Sequence, residues 1–106
     1  MKIAIIGAGA AGCFAAIVIK RRRPEAVVTV YESGRKALAK VAVTGGGRCN
    51  LTNSFCGVRS IEAVYPRGAR LMKRLLREFS HADAYEWLER EGIRLTFEED
   101  NCISVL

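Results

Sequence analysis

The sequence predicts an α/β fold that opens a parallel sheet and leaves it incomplete. Three observations predict it. Lys2–Ile6 is a short, β-branched apolar run closed by Gly7. Residues 10–23 form an Ala-rich apolar segment of helical length, and Val27–Tyr31 reads Val-Val-Thr-Val-Tyr. A helix between two such strands gives the long crossover that parallel pairing requires.

Taken in order, Lys2–Ile6 has the continuous apolar character of a buried strand. The helix over 10–23 is apolar nearly all the way round. It ends in Lys20, Arg21, Arg22 and Arg23, which suit the negative end of the helix dipole, and in Pro24, which cannot continue it. Residues 33–57 are basic and interrupted by Gly45, Gly46 and Gly47, which predicts mostly loop, with a short helical piece over 37–41. Ordered loops of that length are usually functional. From Gly68 onward, Leu71, Leu75, Leu76 and Phe79 share one face of a helix whose other positions carry Arg70, Lys73, Arg74 and Arg77. Ser80 followed by Asp83 is a capping-box start for a helix carrying Ala84, Trp87 and Leu88, with Gly92 just past its end. Residues 93–97 read as a third strand. The sequence has no internal repeat and no linker composition.

The chain has 106 residues, half of them apolar and 26% charged, which is globular composition and excludes a disordered or collagen-like chain. This length builds at most one compact domain. Cys13, Cys49, Cys56 and Cys102 form no C-x-x-C pair, and the single His is too few for a zinc site, so no metal is expected. Residues 3–19 are apolar, but Gly7, Gly9 and Gly12 crowd them and the positive charge follows rather than precedes, so no membrane or export segment is expected. Reduced thiols and a cytoplasmic location are the corresponding expectation. The net charge is +6, with eight basic and two acidic residues between Lys20 and Arg48 and seven acidic residues between Asp83 and Asp100. A basic first half suggests an anionic ligand bound early in the chain.

The first chemical motif is Gly7-Ala8-Gly9-Ala10-Ala11-Gly12, between a strand and a helix. Gly7 makes the tight turn, Gly9 admits a pyrophosphate to the backbone, and Gly12 lets helix and strand approach closely. The helix N-terminus then offers free N–H groups to phosphate. Glu32 lies twenty residues beyond Gly12, at the end of the second strand. An acid there accepts from ribose hydroxyls and repels a 2′-phosphate, favouring FAD or NAD over NADP.

The second motif is Thr44-Gly45-Gly46-Gly47-Arg48-Cys49-Asn50-Leu51-Thr52-Asn53. Consecutive glycines let backbone amides converge on a ligand. Arg48 adds a forked cation suited to a pyrophosphate or an anionic flavin edge, and the Asn and Thr residues add neutral hydrogen-bonding groups.

With the first motif and Glu32 before it, this run resembles the bacterial flavoprotein family of NAD(P)/FAD-dependent oxidoreductases. That family includes enzymes described as aminoacetone oxidases and as bile-acid 3-dehydro-Δ4,6-reductases. Tyr65-Pro66-Arg67-Gly68 and the helices after it are similar as well, so the resemblance covers almost the whole chain. It implies the N-terminal portion of a FAD-binding Rossmann-like domain over residues 1–106. Gly7, Gly9, Ala10, Ala11 and Gly12 would hold the pyrophosphate and Glu32 the adenosine ribose, with Ser33, Arg35 and Lys36 beside it. The segment Thr44, Gly45, Gly46, Gly47, Arg48, Cys49 and Asn50 would lie toward the flavin half. It also implies NAD(P)H as electron donor in the longer relatives and a small-molecule substrate. No catalytic residue carries over. Family members are several times longer, so the remaining Rossmann strands and the substrate domain are expected to lie outside this chain. A truncated, non-catalytic fragment and a small basic nucleotide-binding adaptor are the alternatives.

Other chemistry-bearing residues have plainer explanations. Cys49 and Cys56 lack the spacing of a flavin-linked disulfide. His81 falls in a helix first turn, and Tyr85 and Trp87 fit a core face. The cations at 20–23 and 67–77 are accounted for by a helix terminus and a polar helix face, so no nucleic-acid partner is expected.

Overall fold

The structure, a computed structural model, describes residues 1–99 and 102–105. Asp100 of the acidic run and the terminal Leu106 lie outside the described residues. The chain divides into two compact units, Met1–Gly47 and Arg48–Leu106.

The first unit contains β1 (Lys2–Ile6), α1 (Ala10–Arg22), β2 (Val27–Tyr31), α2 (Ala39–Val43) and a tight turn over Thr44–Gly47. β1 and β2 pair in parallel from Lys2 opposite Val27 to Ile6 opposite Tyr31, as the strand-helix-strand pattern predicts. α1 closes with Lys20, Arg21 and Arg22 in its last turn. Lys20 Nζ donates to the carbonyls of Pro24 at 2.6 Å and Ala26 at 2.8 Å, tying the helix end to the start of β2. Ala26 is fully buried beneath this turn.

β1 corrects the expectation of a buried strand. Ile3 and Ile5 are half-buried, whereas Ile6 is 83% exposed and Lys2 and Ala4 are exposed too. Val27 and Tyr31 of β2 are bare in the same alternation. A continuous apolar strand is built for cover on both faces, and α1 supplies only one layer.

The second unit contains β3 (Asn50–Asn53), α3 (Ile61–Val64), α4 (Ala69–Glu78), α5 (His81–Arg90), β4 (Leu95–Phe97) and β5 (Cys102–Val105). Its sheet has the order β3-β5-β4 with both pairings antiparallel. The strand expected over 93–97 is thus shorter and belongs to this second sheet, not to the parallel one. β3 and β5 had no expected counterpart. The stretch over 33–57, read as mostly loop, holds α2 two residues later than expected, and then β3. β5 is the best-covered strand, with Ile103 and Ser104 buried. α4 forms where its amphipathic pattern places it, but Leu71, Leu75 and Phe79 stay exposed along its apolar stripe.

Ser80 caps α5 as predicted. Its hydroxyl accepts from Asp83 N at 3.2 Å, and its own N–H donates to Asp83 Oδ2 at 2.7 Å. Ser80→Ala is expected to cost about 1 kcal/mol of unfolding free energy, read by urea denaturation. An unchanged midpoint would show that α5 starts independently of its cap.

Candidate functional site

The glycine loop is built by two different constraints. Gly7 has φ +98°, a left-handed conformation that side chains rarely adopt. Gly12 is steric: a Cβ there would lie 1.9 Å from the Gly7 carbonyl oxygen and 3.3 Å from Ile5 Cγ2. Gly9 meets neither demand, with φ −82° and no atom within 4 Å of a Cβ. Its bareness opens the loop outward. As N-cap of α1, Gly9 provides no side-chain bond, and no acid occupies the first turn. The opening N–H groups of α1 lie before the first intrahelical bond, which Cys13 N makes to Gly9 O at 3.0 Å.

Ala8 fixes this loop to the rest of the unit. Its N–H donates to Glu32 Oε2 at 2.8 Å, and its carbonyl accepts from Leu38 N at 2.7 Å and from the Cys13 thiol at 3.6 Å. Gly34 N–H donates to Glu32 Oε1 at 2.8 Å. Glu32 therefore joins the glycine loop to the loop after β2. Backbone bonds from Gly34, and then from Ala8, hold its carboxyl below the usual carboxylate range. Ser33, Arg35 and Lys36 follow on an exposed loop. Leu38 ends that loop at φ +56°, and no feature of the sequence marks a leucine for a left-handed turn.

The second motif divides at the boundary between the units. Thr44 caps α2, its hydroxyl donating to Val41 O at 2.8 Å. Gly45, Gly46 and Gly47 all take positive φ, so their glycines meet a backbone demand. In the second unit, Arg48 Nη1 donates to Glu98 Oε1 at 3.0 Å and Oε2 at 3.2 Å. Glu98, beyond β4, was not anticipated, since its partner is fifty residues away in sequence. The Arg48 and Cys49 carbonyls accept from Val105 N, which fixes the entry to β3. Asn50 opens that strand, exposed.

His81 starts α5 with its ring 5.5 Å from Phe55, and Tyr85 stacks on Phe97 at 5.4 Å. All four cysteines are free. Among the described residues no helix is long and apolar enough to cross a membrane, and no acidic, His or Cys cluster could hold a metal.

A parallel β-α-β unit, a glycine loop opening the helix and an acid ending the second strand define a Rossmann segment of the dinucleotide-binding class. Residues 1–103 match the HI0933-like protein Rossmann domain, and the chain belongs to that family. It is 34% identical over 92 residues to the 3-dehydro-bile acid delta(4,6)-reductase of Clostridium scindens, covering 87% of this chain and 22% of that protein. It is 32% identical over 89 residues to the ribosomal RNA dihydrouridine synthase of Escherichia coli, covering 84% of this chain and 21% of that one. With the Haemophilus influenzae ribosomal RNA dihydrouridine synthase it shares 47% over 49 residues, 46% of this chain and 12% of the relative. The chain therefore spans about a fifth or less of the length of these curated relatives.

Two outcomes follow. Gly12→Ala is expected to destabilise the first unit by about 1–3 kcal/mol through overpacking, while Gly9→Ala costs no more than about 1 kcal/mol as a cap change. Denaturation of both variants, monitored by backbone circular dichroism, checks the ordering. Glu32 has a folded pKa below its unfolded one, so its contribution is present at neutral pH and is lost as pH falls through the folded value. The stability lost between about pH 7 and about pH 3 should be smaller in Glu32→Gln than in the parent chain.

Proposed function

We propose that this segment binds FAD for a flavin-dependent oxidoreductase, as the N-terminal part of a larger FAD-binding domain. The observation that carries the reading is Gly9. Its backbone angles suit any residue and its Cβ position is open, so beyond its place as a helix cap the glycine leaves room for a group from outside the chain. A pyrophosphate against the opening N–H groups of α1 is such a group. Gly7 and Gly12 set the loop, Ala10 and Ala11 present N–H groups, and Glu32 accepts from the adenosine ribose. Ser33, Arg35 and Lys36 flank that end, and residues 44–50 serve the flavin half.

When bound, FAD supplies hydride exchange with a nicotinamide or an organic substrate. This segment's own residues bind and orient; none of them moves a proton in this reading. The named relatives act on a bile acid in one case and on ribosomal RNA in the other two, so the substrate is set outside the cradle. The bare face of the parallel sheet supports a larger domain. The same bare residues favour the rival reading, a non-catalytic piece. We take the segment to make no nucleic-acid contact, since the cations at 20–23 belong to the end of α1 and those at 67–77 to the polar face of α4. The cytoplasm is the proposed location.

The test is titration of the 106-residue chain with FAD, followed by flavin fluorescence. Saturable binding that Gly9→Asp abolishes is expected, because a carboxylate would occupy and repel the phosphate position. A folded chain that binds no FAD overturns autonomous binding and puts the non-catalytic reading first. Salt-sensitive RNA binding indifferent to FAD would favour the adaptor reading.

A further inference from the structure

α4 carries more positive charge than its own unit balances. Arg70, Lys73, Arg74 and Arg77 share its polar side, so Arg70 and Arg74, and likewise Lys73 and Arg77, stand one helical turn apart as like charges. Such pairs destabilise a helix. Lys73 is relieved by an ion pair with Glu62 of α3. Among the described residues Arg70, Arg74 and Arg77 have no ion pair, and Glu78, the single acid of α4, follows Arg74 by one turn without pairing with it. Leu71 and Leu75 run beside Arg70 and Arg74 and are 52% and 46% exposed. Met72 and Leu76, on the far flank of the stripe, are half-buried. The bare part of the apolar stripe is therefore the part bordered by unpaired arginines.

A surface of the opposite sign lies on α5 and β4 of the same unit. Glu86 and Glu89 are exposed on α5. Glu86 accepts from Arg90 at 3.1 Å, and Glu89 accepts from the Tyr85 hydroxyl. Tyr85 in turn stacks on Phe97, which is 61% exposed. Acids thus border a bare aromatic, as arginines border bare leucines on α4. We propose that the chain self-associates by seating α4 of one copy on the α5–β4 surface of a second. Leu71 and Leu75 meet Phe97, and the arginines meet Glu86 and Glu89. Each copy carries both surfaces, so a two-fold arrangement satisfies both at once. Apolar burial supplies the affinity, and the charges select which faces meet. The proposal is independent of the flavin reading, since none of these residues belongs to the cradle.

Sedimentation velocity of the whole chain over a concentration series is the test. A reversible monomer–dimer equilibrium is expected, weakened by about tenfold in about 1 M salt, where charges are screened beyond about 3 Å. Leu75→Glu should weaken it by about tenfold or more with helix content unchanged by circular dichroism. Arg70→Glu with Arg74→Glu, and separately Glu86→Lys with Glu89→Lys, should do the same. These two charge-reversed chains, each monomeric alone, should associate when mixed, because the acidic α4 of one then meets the cationic α5 of the other. Ile6→Thr, on the bare face of the parallel sheet, should leave the association unchanged. A chain that is monomeric at every concentration overturns the proposal, and so does failure of the folded, charge-reversed chains to recover on mixing. Association lost in Ile6→Thr but kept in Leu75→Glu overturns it by moving the interface to the first unit. A monomeric chain that binds polyglutamate overturns it by giving the α4 face to a different acidic partner.

Discussion

The contact on which the first unit depends is the approach of α1 to the turn after β1. A Cβ at position 12 would fall inside the Gly7 carbonyl oxygen, so helix and strand lie closer than any side chain permits. That approach places the first turn of α1 directly after the tight turn at Gly7. It also covers Ile5 and puts Ala8 in a buried position. Once Ala8 is fixed, its two backbone groups bind Glu32 and Leu38 and draw the loop after β2 onto the glycine loop. At the far end, Lys20 repeats the function with carbonyls of the following turn. A single missing methyl group thus sets the direction in which the helix presents its N-terminus.

The glycines of this chain are not equivalent evidence. Gly7 and the run Gly45, Gly46 and Gly47 are required by positive φ, and Gly12 by space. Each would be glycine in a protein that bound nothing. Gly9 alone in the first motif has ordinary backbone angles and an open Cβ direction, so its argument for a ligand is of a different kind. The tri-glycine run looked in sequence like the stronger ligand signal, and its geometry is first a matter of turning the chain.

What could be read from the sequence was local. The extent of α1, the Ser80 cap and the end of α5 each follow from residues within one turn of the feature, and the parallel pairing of β1 and β2 from the single helix that joins them. What could not be read depends on distant partners. β3 is Asn-Leu-Thr-Asn, too polar and too short to show strand periodicity, and it forms by pairing with β5 some fifty residues on. Glu98 meets Arg48 across the same interval. The exposure of Ile6 escaped prediction for the opposite reason: composition reports the cover a strand is made for, not the cover it has.

A carboxylate beside a loop proposed to hold phosphate looks unfavourable, and its geometry explains why it is tolerable. Glu32 takes the Ala8 N–H, which lies before the helix, and leaves the N–H groups at the start of α1 to another acceptor. Its second oxygen takes Gly34 N–H, so its charge is spread over two backbone donors on separate loops. Those bonds keep it ionised, and an ionised acid can only accept. Ribose hydroxyls donate and therefore suit it, whereas a 2′-phosphate brings only acceptors and negative charge. The bonds that preorganise the loop are thus also the ones that favour FAD or NAD over NADP in the proposed complex.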